Sequence, residues 1–308
     1  MYDQELSQLI NAAISRIDDT LEEAAPFMAG QVSAWMRGLS RRRPEAYFQH
    51  PLGFPMLLVP WWLEKAIHRQ PDTAFQGDLV YSTINGYYHV RLIDNLMDGH
   101  ATVELEMLPA LSFFHTQFQA AYQRHFGHRH PFWGFFETMW LQSAEMTMRD
   151  ASLSDVTREQ FVEVAAKKTC AAKIPAAAVC YKYERQDLIG PWAQWLDLFG
   201  CWHQMWNDLF TWGRDIKNGT CTYFLSEAER SKVAGQSATE WVIKGGFEWG
   251  IRQLQEWMGE LKDMASSLDS QELLAYLDGR EAMLLERSGQ IANGMRSAAR
   301  LVDALREL

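Results

Sequence analysis

The amino-acid sequence predicts an all-α protein, and three observations support that prediction. Apolar residues recur at helical spacing along almost the whole chain. Alternating strand-like runs, and the Asn-Gly or Asp-Gly pairs of tight hairpins, are nearly absent. Sequences of capping-box form, with Ser or Thr followed three residues later by Glu or Gln, begin at Thr157, Ser226 and Ser237. We therefore expect a helical bundle.

The individual helices follow from the apolar periodicity and from clusters of Pro and Gly at 50–55, 126–131 and 189–191. Inside one of them Pro175 predicts a break, because proline lacks an N–H and clashes with the preceding turn. The predicted helices are 2–23, 27–38, 55–68, 76–98, 102–124, 132–149, 157–184 with the break, 190–216, 236–265 and 270–306.

Composition limits the domain organisation and the partners. No repeat, low-complexity linker or composition shift divides the 308 residues, so the simplest expectation is a single helical domain over 1–308. With 47% hydrophobic residues the chain can bury a sizeable core. A net charge of -10 disfavours nucleic acid as a partner, because phosphate binding needs clustered Lys and Arg and the basic run at 41–43 is short.

Cysteine spacing and hydropathy bear on the compartment. The four cysteines form no CxxC pair and no secretory leader precedes them, so we expect reduced thiols in a cytoplasmic protein. No window reaches the roughly 18 uncharged apolar residues of a spanning helix, so no membrane insertion is expected. The 13 Trp residues suggest a large aromatic-lined cavity, although a Trp-rich core explains them equally well.

Two carboxylates stand one helical turn apart in "RLIDNLMDGH", residues 91–100. Asp94 and Asp98 are i and i+4 on a predicted helix, so they share a face, and Gly99 follows immediately. Carboxylates so placed can bridge Mg²⁺, which prefers a few carboxylates together with waters and phosphate oxygens. The alternative is an ordinary pair of solvated acidic residues, and the apolar residues around them make that exposure less expected.

Three oxygen-bearing side chains recur in "WNDLFTWGRD", residues 206–215. Asn207, Thr211 and Asp215 follow each other at i, i+4 and i+8, a ladder with about 6 Å per rung that drifts only about 40° per step around a helix. An amide oxygen, a hydroxyl and a carboxylate in this arrangement can chelate one Mg²⁺. The alternative is that Asp208 and Asp215 are solvated and Thr211 bonds back to its own helix.

A Lys-Thr pair opens a third stretch, "KKTCAAKIPAAAVC", residues 167–180. Its small residues permit close helix approach or leave cavity space. On its own, Lys168 would be an ordinary surface lysine.

The three stretches, in this order, resemble the class I isoprenoid synthase family. "LIDNLMD" is similar to its first motif, DDxxD, with Asp94 and Asp98 at the outer positions and Asn95 at the second. "NDLFTWGRD" resembles the terpene cyclase pattern (N/D)Dxx(S/T)xxx(E/D), and 113 residues separate Asp94 from Asn207, a separation typical of the family. "KTCAAKIPAAAVC" and "GCWHQMWND" are similar to segments of the trans-prenyl diphosphate synthases.

Departures from these patterns distinguish the two branches. The Arg-Arg pair that chain-elongating synthases carry after the first motif is replaced by "GHATVELE", and Thr211 stands where they have Asp. Both differences favour a cyclase. Against it, "GLSRRRP" at 38–44 resembles the N-terminal basic motif of elongating enzymes, and Arg296 and Arg300 lack the tyrosine of the C-terminal cyclase pair.

The resemblance implies a bundle of helices around a central active-site cavity, and an enzyme that ionises a linear prenyl diphosphate. It implies a cluster, usually of three Mg²⁺, on Asp94, Asp98, Asn207, Thr211 and Asp215, with Lys168 and Arg214 at the substrate diphosphate. The remaining carbocation would be cyclised or quenched against aromatic walls in a dry pocket. The wall candidates are Tyr87, Phe113, Phe114, Trp133, Trp140, His203 and Trp206.

Two alternatives stay open. A trans-prenyl diphosphate synthase, or another prenyltransferase that joins two isoprenoid units, would need a second substrate. A non-catalytic subunit that keeps the fold would suit Asn95 and the missing Arg-Arg pair. A homodimer is common in the family, and the substrate chain length and the product skeleton do not follow from the motifs.

Overall fold

The computed structural model describes residues 2–40, 43–97 and 105–306, without the side chains of residue 296 and of 301–306. This part of the chain is helical and has no strand, which confirms the all-α prediction. Its helices are α1 Gln4–Ala24, α2 Pro26–Leu39, α3 Pro44–Phe48, α4 Leu58–His68, α5 Thr73–Met97, α6 Ala110–Gln123, α7 Phe132–Ser152, α8 Arg158–Lys168, α9 Lys173–Lys182, α10 Ile189–Asn218, α11 Tyr223–Ser231, α12 Ala238–Trp241, α13 Phe247–Ser267 and α14 Gln271–Arg306. Among them, none is long and apolar enough to cross a membrane.

Helix starts depend on the capping residues. Thr157 and Ser237 form the predicted capping boxes with Gln160 and Glu240. The start predicted at Ser226 is wrong, because Thr222 caps α11 through its side chain and Ser226 lies inside that helix. There its hydroxyl accepts a hydrogen bond from the Val156 amide at 3.0 Å.

The break expected within 157–184 precedes Pro175. Residues Cys170–Ala172 form a 3-10 turn between α8 and α9, and Pro175 then lies in the first turn of α9. A first-turn proline costs little, because its missing N–H would have no partner within the helix. The helix predicted over 102–124 starts later, with α6 at Ala110 directly after Pro109.

The chain forms two compact units, which are described separately. Unit 1 comprises Met1–Leu141 with Ala171–Gly190, and unit 2 comprises Gln142–Cys170 with Pro191–Leu308. A single domain over 1–308 stays a prediction.

Unit 1 has a buried acidic residue at its core, held by hydrogen bonds. The side chain of Glu64 on α4 is fully buried. Its Oε2 accepts from Gln76 Nε2 at 2.6 Å, and its Oε1 accepts from the Tyr183 hydroxyl at 2.5 Å. The Lys182 ammonium lies 3.7 Å from Oε1 and also pairs with Asp72. A carboxylate that is buried away from water needs hydrogen-bonding or charged partners. These contacts hold the end of α9 against α4 and α5.

Unit 2 is built around the aromatic helix α10. The indole N–H of Trp202 donates to the Leu254 carbonyl of α13 at 3.0 Å. A Cβ at Gly250 would lie 2.6 Å from Leu209 Cδ1, so glycine permits the close approach of α13 to α10.

Candidate functional site

The first predicted motif lies at the end of α5 in unit 1. The Asp94 side chain is 22% exposed, and its Oδ2 lies 2.9 Å from Arg91 Nη1 one turn earlier. Asn95, at the position where the DDxxD motif has its second aspartate, is buried. Asp98 lies outside the described residues. Within unit 1, Asp94 is therefore a partly exposed carboxylate whose charge is balanced by Arg91.

The second motif lies on α10 in unit 2. Thr211 Oγ1 is 2.6 Å from Asp215 Oδ2 and 2.7 Å from the backbone oxygen of Asn207. Thr211 therefore contacts the backbone of its own helix, as the alternative expected, and also contacts Asp215, the next residue of the ladder. Asp215 is buried, Asn207 is exposed, and Arg214 is exposed with its Nε 3.5 Å from Asp215 Oδ1. The ladder thus runs from solvent to a buried carboxylate.

Asp208 is a site residue that the sequence interpretation missed. Its carboxyl is buried and accepts a hydrogen bond from Gln204 Nε2 at 2.8 Å, so the alternative of solvated carboxylates is wrong for Asp208 and Asp215 alike. The pKa of Asp208 is raised to about 7, chiefly by burial; the hydrogen bond from Gln204 and the charge of Lys168 oppose the increase, and the charges of Asp215 and Asp150 add to it. The sequence does contain a signal for Asp208: on a helix, residue 208 lies about 20° around the axis from residue 215, so the two carboxyl groups share a face.

Lys168 is the last residue of α8 in unit 2. Its ammonium is 2.8 Å from Asp150 Oδ2 on α7, and its backbone oxygen accepts from the Ser143 hydroxyl at 2.7 Å. A Cβ at Gly200 of α10 would lie 2.8 Å from Thr169 Oγ1 and 2.9 Å from the backbone oxygen of Ala165. Glycine at 200 therefore lets the end of α8 lie directly against α10. Lys168 there is a partly exposed cation paired with Asp150.

The donor chemistry on α10 fits Mg²⁺. Hydroxyl, amide and carboxylate oxygens are hard ligands, and the 2.6 Å between Thr211 Oγ1 and Asp215 Oδ2 compares with the spacing of about 3 Å between neighbouring ligands of an octahedral Mg²⁺. The buried carboxyl group of Asp208 is a further oxygen donor on α10. Among the described residues no group of three His, Cys, Asp or Glu side chains is placed to hold a metal, so the described oxygens alone do not make a carboxylate cage.

The aromatic faces of α10 are occupied by a cation of the protein itself. Arg280 of α14 is fully buried, and its guanidinium carbon lies 4.9 Å from the ring centre of Trp202 and 5.6 Å from that of Trp206. Its Nη2 is 3.5 Å from His203 Nδ1. Burial, with the Arg280 charge, lowers the pKa of His203 to about 3, which keeps the imidazole neutral. His203 and Trp206 thus contact a guanidinium, which repels further positive charge.

The other predicted wall residues belong to unit 1 and fall into two groups. Phe113 and Phe114 are buried in its core, and the Tyr87 hydroxyl is hydrogen-bonded to that of Tyr47. Trp133 and Trp140 line an open groove of about 500 Å³ between α6 and α7.

The sequence matches no protein-family model and no curated protein.

Proposed function

We propose that the protein is a class I terpene synthase, which uses Mg²⁺ to ionise a linear prenyl diphosphate and cyclises or quenches the resulting carbocation. The observation that carries the proposal is the arrangement in unit 2. Thr211 and Asp215 form a ladder of hard oxygen atoms on α10, and Lys168 ends α8, which packs against α10 at Gly200. Metal ligands beside a cation are what a metal-bound diphosphate requires.

In unit 2 the proposed ligands are Asn207, Thr211 and Asp215. In unit 1, Asp94 and Asp98 stay the predicted ligands of the first motif. Bound Mg²⁺ would neutralise the negative charge that develops on the diphosphate leaving group. Its donor requirements agree with the oxygens of the α10 ladder.

Two basic side chains would act on the diphosphate directly. Lys168, 29% exposed and paired with Asp150, ends α8, and Arg214, 70% exposed, is adjacent to Asp215 of the ladder. Their charges would stabilise the released diphosphate, and their backbones are held by ordered helices. The buried guanidinium of Arg280 shifts the expected carbocation walls away from His203 and Trp206.

One observation favours a second candidate, a non-catalytic subunit that keeps the fold. Asp94 is paired with Arg91 at 2.9 Å, and the adjacent neutral Asn95 is buried. A carboxylate already balanced by a cation binds a metal less readily. Replacing Arg91 by glutamine should strengthen Mg²⁺ binding if Asp94 is a ligand.

Product analysis tests the proposal. Purified protein with Mg²⁺ and geranyl, farnesyl or geranylgeranyl diphosphate should release free diphosphate and a hydrocarbon or an alcohol without isopentenyl diphosphate. A longer prenyl diphosphate that forms only when isopentenyl diphosphate is added would assign the chain to the elongating synthases. Absence of Mg²⁺-linked diphosphate binding by calorimetry would exclude both enzymes.

A pair of asparagine variants makes the test specific to the ladder. Asn207→Ala should lower turnover by about 100-fold or more, because the interaction with the leaving group is needed in the transition state. Asn218→Ala, at the other exposed asparagine of α10 beyond the ladder, should retain turnover. Equal turnover of the two variants would remove Asn207 from the site.

A further inference from the structure

Two adjacent lysines at the end of α8 form ion pairs with different helices: Lys168 pairs with Asp150 of α7, and Lys167 pairs with Glu163 of α8 itself. Lys168 Nζ lies 2.8 Å from Asp150 Oδ2, and Lys167 Nζ lies 3.0 Å from Glu163 Oε1. All four side chains are partly exposed, between 29% and 42%. Lys168 ends α8, and the adjacent Thr169 lies against Gly200 of α10, so this pair lies where α8 packs against the helix that carries the candidate ladder.

The backbone around Lys168 is held in place from two sides. Ser143 donates to its carbonyl at 2.7 Å, and the adjacent Thr169 is in contact range of Gly200. The ammonium, by contrast, sits at the end of a flexible stem and is held by a partly exposed pair. Ion pairs of that kind contribute little to stability and exchange readily with solvent or with other anions.

We infer that Asp150 is an internal competitor of the diphosphate: in the free protein its carboxylate occupies the place at Lys168 that a diphosphate oxygen takes on binding. This inference rests on the proposed function. A carboxylate oxygen and a phosphate oxygen accept the same kind of charge-assisted hydrogen bond from an ammonium. The multiply charged diphosphate repels Asp150, so binding breaks the Lys168–Asp150 contact and moves the carboxylate into solvent.

Asp150 would in this way favour release of the diphosphate product. When the leaving diphosphate dissociates, Asp150 returns to Lys168 and compensates its charge. Without Asp150, the site holds diphosphate more tightly and releases it more slowly.

Calorimetric titration with inorganic pyrophosphate in the presence of Mg²⁺ tests the inference without relying on activity. Asp150→Asn should lower the Kd about three- to tenfold, the effect of removing one partly screened charge near the ligand. Glu163→Gln, which removes the partner of the adjacent lysine, should leave the Kd unchanged. The gain should shrink as the ionic strength rises.

A double variant locates the effect at Lys168. In Lys168→Gln the further change Asp150→Asn should produce no gain. A gain that persists there, or an unchanged or weaker affinity of Asp150→Asn alone, overturns the inference while leaving the proposed function intact. Lack of pyrophosphate binding by the wild type with Mg²⁺ overturns both. Thermal melting monitored by circular dichroism verifies that each variant is folded.

Discussion

Replacing Gly200 by alanine measures how closely the end of α8 approaches α10. The added Cβ would lie 2.8 Å from Thr169 Oγ1 and 2.9 Å from the backbone oxygen of Ala165, both closer than side-chain carbons normally come. One of these atoms is backbone, so the helices must separate. Such overpacking costs about 1–3 kcal/mol.

The gain in helix propensity opposes that cost, and a matched variant isolates it. Alanine in place of glycine within a helix stabilises by about 0.5–1 kcal/mol. Gly213, also inside α10, has no atom within 4 Å of its would-be Cβ, so Gly213→Ala should show the propensity gain alone. Gly200→Ala should therefore be about 1–3 kcal/mol less stable than Gly213→Ala.

Urea unfolding, followed by the fluorescence of the Trp residues, provides the measurement, with the free energy extrapolated to water. Equal stability of the two variants would refute the reasoning, because the end of α8 would then have room to spare against α10. A loss in Gly200→Ala with an unchanged denaturant slope would support it, since the slope reports the surface exposed on unfolding.

Two further predictions concern buried polar groups. Tyr183→Phe should lower the free energy of unfolding by about 1.5–3 kcal/mol, because the hydroxyl donates to the fully buried carboxylate of Glu64; a loss no larger than that of the neighbouring Tyr181→Phe would contradict this. His203 has its folded pKa lowered to about 3, below the unfolded value of about 6.5, so protonation favours the unfolded chain. The contribution is complete above about pH 6.5 and is lost as the pH falls, by about 2 kcal/mol at pH 5. Urea unfolding at pH 7.5 and pH 5 should show this extra loss in the wild type and not in His203→Gln, and identical pH dependences would refute it.

Most helices could be predicted, because helical periodicity and capping are local properties. The segment 190–216 agrees with α10 within two residues at each end, and Ser237 caps α12 as predicted. The single helix predicted over 236–265 is wrong, because a π-helical stretch, Val242–Gly246, separates α12 from α13. The errors arose where local signals compete. Ser226 has the form of a capping residue, but Thr222 four residues earlier is the one that caps α11.

The sequence by itself determined which oxygens share a stripe of α10, since Asn207, Thr211 and Asp215 repeat at the period of the helix. Only the tertiary structure decided their surroundings. In it Asp208 is buried, Asp150 forms an ion pair with Lys168, and the Arg280 guanidinium packs against the Trp206 ring. Asp150 and Lys168 are 18 positions apart, and Trp206 and Arg280 are 74 positions apart. Such contacts depend on how helices pack and not on the spacing of neighbours along the chain.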